Sequence, residues 1–349
     1  MGRRSLLPHS DGEVPASYAG EGVMFSGPRA SRPAQTHERA WRPAVHKTMI
    51  DKRSLAASLV ELERDPESAV SQKLLDEAWR TPKAHVVGVT GPPGVGKSSL
   101  CAALVAAWRR QGRTVGVIAV DPSSKATGGA LLGDRVRIVH DSADSGSFVR
   151  SMAARDRLGG LADQTIAAMV LMRALFDRVL IETVGVGQSE TDVAGVADTV
   201  VFCVQPGSGD SLQFMKAGIV EIPNLVVVTK ADMGAAAERA LADVAGALSL
   251  ATPDGDFRTR TLAVSSRTGK GMDELLAALD AHLAHLAAEG RLVVQRHRQA
   301  AGWVVESVRE RFGKRGLARL QALGLDVLAA GGQPFQRLAE LSAKLETTP

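Results

Sequence analysis

His85-Val86-Val87-Gly88-Val89-Thr90-Gly91-Pro92-Pro93-Gly94-Val95-Gly96-Lys97-Ser98-Ser99-Leu100 decides the fold of this 349-residue chain. A short apolar run reads as a buried strand, Gly91–Ser98 satisfies G-x-x-x-x-G-K-[ST], and Leu100–Trp108 carries helical spacing. Strand, glycine loop and helix in that order make a phosphate cradle: the glycines let the backbone turn its N–H groups inward, and the helix start adds a favourable field for an anion. On this reading Gly91, Pro92, Pro93, Gly94, Val95, Gly96, Lys97, Ser98 and Ser99 contact a nucleotide, with Lys97 reaching the β- and γ-phosphates and the Ser98 hydroxyl binding Mg²⁺.

Outward from this loop, further apolar runs occur at Val115–Asp121, Arg178–Thr183, Thr199–Gln205, Leu225–Thr229 and Thr261–Ser265, most followed by a helical pattern. Strands alternating with helices predict an α/β fold, a mostly parallel sheet covered on both faces, with ligands at the carboxyl ends of the strands. Residues 83–289 are assigned to this P-loop domain. Ahead of it, apolar spacing from Ser54 to Trp79, interrupted near Pro66, predicts N-terminal helices within 49–82, and 290–349 reads as a C-terminal helical extension, a candidate arm for dimerisation or a partner. Residues 1–48 are rich in Pro, Ser, Gly and Arg and read as a disordered leader, with Met49 as an alternative start.

Composition narrows the function classes. Net charge is +4 and part of the excess sits in the leader, so a nucleic-acid-binding face is not expected. No apolar run reaches the roughly 18–20 residues of a membrane span. The only cysteines, Cys101 and Cys203, lie apart in apolar segments and read as buried thiols in a cytoplasmic protein.

Three acids are candidates for the metal and catalytic site together with Lys97. Asp121 closes the Val115 run and could hold Mg²⁺, orient the attacking water, or cap a turn. Asp134 follows the glycine-rich Thr127-Gly128-Gly129 segment and could join the metal or pair with an arginine. Glu182 ends the Arg178 run, where an acid on an apolar strand needs a polar partner. Behind it, Gly185 could give its N–H to the γ-phosphate. The base is read by Thr229-Lys230-Ala231-Asp232: a carboxylate at Asp232 accepts from N1–H and the 2-amino group of guanine, a pair adenine lacks. Ser265 and Ser266, after the next run, would offer hydroxyl and backbone groups near the guanine oxygen.

Together with Phe148-Val149-Arg150-Ser151-Met152, Leu158-Gly159-Gly160 and Glu182-Thr183-Val184-Gly185-Val186-Gly187-Gln188-Ser189-Glu190, these motifs resemble the MeaB/ArgK family from about Ser54 to Leu286. These are P-loop GTPases related to those of signal recognition and nickel insertion. The resemblance implies a GTP/GDP-binding, Mg²⁺-dependent switch that hydrolyses GTP and acts as chaperone to an adenosylcobalamin-dependent acyl-CoA mutase of the methylmalonyl-CoA type. It also implies a third switch containing Gly207, Gly209, Asp210, Gln213 and Lys216; a homodimer is expected, with the C-terminal helices as its candidate contact. Thr229 stands where the family usually has Asn, and Ala217 where it often has a second lysine. Slow turnover is expected, because no arginine finger can be assigned. Two other readings stay open: a nucleotide-dependent kinase of a transport protein, implied by older naming in the family, and a metal-insertion GTPase, against which stands the lack of a Cys- or His-rich store beyond His282 and His285.

Overall fold

The computed structural model describes residues 51–122, 144–154, 163–183, 192–207, 223–249, 257–325 and 327–347. The leader 1–48 and the candidate residues Asp134, Gly185, Gly209, Asp210, Gln213 and Lys216 lie outside the described residues.

Seven strands form one parallel sheet: β1 (His85–Thr90), β2 (Val115–Pro122), β3 (Ser147–Ala154), β4 (Arg178–Glu182), β5 (Thr199–Val204), β6 (Leu225–Val228) and β7 (Arg260–Ala263), in the order β3-β2-β4-β1-β5-β6-β7. β1 lies between β4 and β5, with Val87 opposite Leu180 on one side and Thr199 on the other. Every residue of β1, β4, β5 and β6 is buried, as parallel strands covered on both faces require.

The helices are α1 (Lys52–Arg64), α2 (Ala69–Arg80), α3 (Lys97–Arg110), α4 (Asp163–Leu175), α5 (Ala235–Ser249), α6 (Met272–Ala287), α7 (Arg291–Ala322) and α8 (Pro334–Thr347). Alternation along the strands separates two cores. Val86, Ile118, Val179 and Ile181 pack with Leu59, Leu75 and Met172 of α1, α2 and α4. Val87, Val89, Val117 and Leu180 pack on the other face with Leu100, Leu104 and Trp108 of α3 and Leu275 and Leu279 of α6. Asp51 and Ser68 cap α1 and α2, each accepting from a backbone N–H of the first turn.

β3 departs from the sequence expectation: it is an edge strand with Arg150 in its middle, so its apolar run is broken, and Arg150 pairs with Glu63 of α1. α7 runs from Arg291 to Ala322 across a break at Gly313, whose φ of 65° no regular helix tolerates.

α7 also grips the core below the sheet. Arg296 donates from Nε to Asp198 Oδ1 at 2.8 Å and from Nη2 to Asp198 Oδ2 at 2.6 Å and Ala84 O at 2.8 Å, while Asp198 Oδ2 accepts from Val86 N at 2.8 Å. Gln299 donates to the carbonyls of Ala194 and Ala197, both at 2.8 Å, and Gln295 to those of Ala197 and Asp198. Residues 193–198 therefore reach β5 with their carbonyls held by one helix. Their short 3₁₀ turn, Val193–Gly195, lies directly on β1: a Cβ at Gly88 would meet Val193 Cγ2 at 2.3 Å, so only glycine permits the approach.

Candidate nucleotide site

The loop between β1 and α3 opens at the carboxyl end of the central strand. Gly91 has φ 135°, and a Cβ there would meet the Cys203 carbonyl oxygen at 2.3 Å, so the loop enters the site only because this residue has no side chain. Lys97, Ser98 and Ser99 form the first turn of α3, so the N-terminal end of that helix opens at the loop. Lys97 is 7% exposed and folds back over the loop, donating to Gly91 O at 2.8 Å and Pro92 O at 3.0 Å. Beneath it the Cys203 thiol is pushed up to about 12 by burial, so it stays protonated and is no nucleophile.

β4 runs beside β1, and this brings Glu182 to the loop. Ser98 Oγ donates to Glu182 Oε1 at 2.6 Å, joining residues far apart in sequence, and Glu182 is 4% exposed on an otherwise apolar strand. Next to it, Thr183 donates through its hydroxyl to Thr90 Oγ1 at 2.9 Å and through its N–H to Val89 O at 3.1 Å. A hydroxyl and a carboxylate at one point are hard oxygen donors, and their chemistry fits Mg²⁺. Among the described residues no group of three or more His, Cys, Asp or Glu could hold a metal. Asp121 lies at the carboxyl end of β2, two strands from β1 in the sheet.

The second half of the site is built after β6 and β7. Lys230 adopts left-handed backbone angles (φ 55°, ψ 40°), which is costly for a residue with a side chain and turns the chain so that Asp232 returns toward β7. Thr229 Oγ1 donates to Val95 O at 2.7 Å and lies 3.0 Å from Val204 O, so this threonine ties the base loop to the phosphate loop. Lys230 Nζ donates to Gln205 Oε1 at 2.5 Å and Gly94 O at 3.3 Å.

Asp232 accepts from Ser265 Oγ at 2.6 Å on Oδ1 and from Arg267 Nη2 at 2.6 Å on Oδ2. The Ser265 hydrogen bond, with its own backbone N–H and Arg267, holds the carboxyl below its usual range. Ser265 is fully buried, and its hydroxyl is committed to Asp232 instead of being free for a base oxygen. Ser266 follows it in the same turn, and Gly207 ends the described part of the loop after β5 with φ 75°.

The structure thus brings Gly91–Ser99, Glu182, Thr229, Lys230, Asp232, Ser265 and Ser266 to one edge of the sheet. Gln205 and Arg267 were not singled out by sequence reasoning. Gln205 ends an apolar run and Arg267 follows the two serines, but nothing local marks them as partners of Lys230 and Asp232.

A family model described as methylmalonyl Co-A mutase-associated GTPase MeaB matches residues 53–320. A Pyrococcus horikoshii protein named as a GTPase is 42% identical over 251 residues, 70% of this chain and 78% of that one. The methylmalonic aciduria type A homolog, mitochondrial, of Mus musculus is 35% identical over 274 residues, 76% of this chain and 64% of that one. A solved structure described as a LAO/AO transport system kinase superposes with a TM-score of 0.60 at 28% identity, covering 85% of this chain and 94% of that chain.

Proposed function

The chain belongs to the MeaB family of methylmalonyl-CoA mutase-associated GTPases, and from that membership we propose that it is a GTP-driven switch serving an adenosylcobalamin-dependent acyl-CoA mutase. GTP hydrolysis follows from the family; the residue roles and the partner are the proposal. The contact that carries it is Ser98 Oγ to Glu182 Oε1, because it joins the phosphate loop to the strand that leads into Thr183–Glu190.

In this account the backbone N–H groups of 91–98 and the start of α3 take the β-phosphate, and Lys97 leaves its loop carbonyls for the β- and γ-oxygens. Ser98, Glu182, Asp121 and Asp134 would hold Mg²⁺, which when bound neutralises the charge developing on the phosphates. Asp232, fixed by Ser265, accepts the two guanine donors, and Gly185 offers its N–H to the γ-phosphate. On hydrolysis the loop after Glu182 relaxes, whereas residues 193–198 stay fixed by Gln295, Arg296 and Gln299. Motion is then confined to the carboxyl edge of the sheet, where Gly207 begins the third switch read by the partner, with Gly209, Asp210, Gln213 and Lys216 downstream. The mutase is supported by the family description and by the mouse relative's name.

Co-purification with an adenosylcobalamin-dependent methylmalonyl-CoA mutase tests the reading. Retention that differs between GTP and GDP, and is lost with Lys97→Ala, is expected; equal retention in both nucleotides would remove the switch. The kinase description attached to the similar solved structure supplies a second reading, transfer of the γ-phosphate to a protein. Labelled GTP with candidate acceptors separates the two, since the switch gives only free phosphate.

A further inference from the structure

Away from the nucleotide edge, α2, α4, α7, α8 and the 3₁₀ turn line a small half-open cavity of about 20 Å³, whose walls include Trp79, Met169, Arg173, Gln299, Trp303 and Phe335. Arg173 is 2% exposed, its Nε has no hydrogen-bond partner, and no ion pair among the described residues includes it. Its guanidinium carbon lies 4.6 Å from the centre of the Trp79 ring, a cation–π contact that offsets only part of the cost of burying the charge.

The charges around this cavity do not balance. Arg296 lines it too, but its hydrogen bonds go to Asp198 and Ala84, so the buried carboxylate is already matched. His85 adds no positive charge, because burial holds it neutral with a pKa of about 3. Burial, then Arg296, lower Arg173 to about 9 against the opposing pull of Asp198, which leaves it charged at neutral pH. One buried positive charge is left over. The other polar groups on the walls are engaged elsewhere, Trp303 Nε1 donating to Asp163 and Gln299 Nε2 to the carbonyls of Ala194 and Ala197.

We propose that this cavity is a binding site for one small monovalent anion of the chloride class, held by the Arg173 guanidinium against the indole walls. About 20 Å³ of space seats a body the size of one water, which favours a monatomic ion over a carboxylate metabolite or a phosphate. The ion would neutralise the seam where the C-terminal helices meet α2 and α4, and its binding is independent of the nucleotide reading.

Thermal unfolding of the full chain tests it, with potassium gluconate replaced stepwise by chloride or bromide at constant ionic strength. A saturable rise of about 2–4 °C is expected once the halide exceeds its dissociation constant roughly tenfold. Arg173→Met should abolish the rise and unfold no lower than the parent in gluconate, because an apolar side chain removes the unmatched charge. Crystals grown with bromide should show an anomalous peak beside Arg173 Nε, a readout that does not depend on any variant folding. Identical midpoints in gluconate and halide, or bromide crystals with no such peak, would mean that water fills the cavity and would overturn the proposal.

Discussion

Arg296 Nη2 lies 2.6 Å from Asp198 Oδ2, and this buried pair ties the first C-terminal helix to the residue just before β5. Burial alone would raise the Asp198 carboxyl, but the hydrogen bonds and charge of Arg296 outweigh it and hold the group below its usual range. Its stabilisation is therefore present above the ordinary carboxylate pKa and is lost as pH falls through the lowered one. Asp198→Asn leaves Arg296 buried without its counter-ion and should cost about 3–5 kcal/mol in urea unfolding at neutral pH. A loss below about 1 kcal/mol would show that α7 does not grip the core through this pair.

A second buried group gives the protein an acid sensitivity at milder pH. His85 Nε2 and His282 Nδ1 both contact Thr199 Oγ1, at 2.6 and 2.7 Å, and burial lowers the rings to about 3 and about 4. Each must be neutral in the fold, so stability is full above the unfolded value near 6.5 and falls as pH drops from there toward the folded values. Between pH 7.5 and 5 the loss should be about 2 kcal/mol for each ring. Urea unfolding at both pH values measures it, and His282→Gln should remove about half of the slope. A flat profile down to pH 5 would contradict the buried neutral pair.

Gly88 and Val193 form a contact that a single carbon would break. A Cβ at Gly88 falls 2.3 Å from Val193 Cγ2, so Gly88→Ala should cost about 1–3 kcal/mol by overpacking. It should also slow GTP hydrolysis, because residues 193–198 fix the far end of the segment that begins at Glu182. Val193→Ala in the same chain should recover most of both losses, and a double-mutant cycle with no coupling would show that the glycine serves another purpose.

The chain's own residues reveal the sheet and the phosphate loop because both are local: a buried parallel strand is a continuous apolar run, and the loop's chemistry lies within consecutive residues. β3 escapes that reading because an edge strand can carry Arg150 once Glu63 covers it. The base site is half legible. Asp232 stands in a motif, but Arg267 meets it only through the turn after β7. Asp198, Arg296 and Arg173 look like ordinary surface charges in sequence, and only the packing of α7 against the sheet's lower edge buries them. The break at Gly313 is likewise not legible in sequence, since an isolated glycine is tolerated in many helices.

The pairing of the phosphate loop with a base site read by Asp232 is tested most directly by steady-state phosphate release from GTP, xanthosine triphosphate and ATP by the parent chain and Asp232→Asn. The parent should favour GTP, and the variant should lose GTP kcat/KM by about tenfold or more while gaining on xanthosine triphosphate, because an amide can donate where the carboxylate could only accept. A variant that keeps the parent's preference for GTP would show that Asp232 does not read the base.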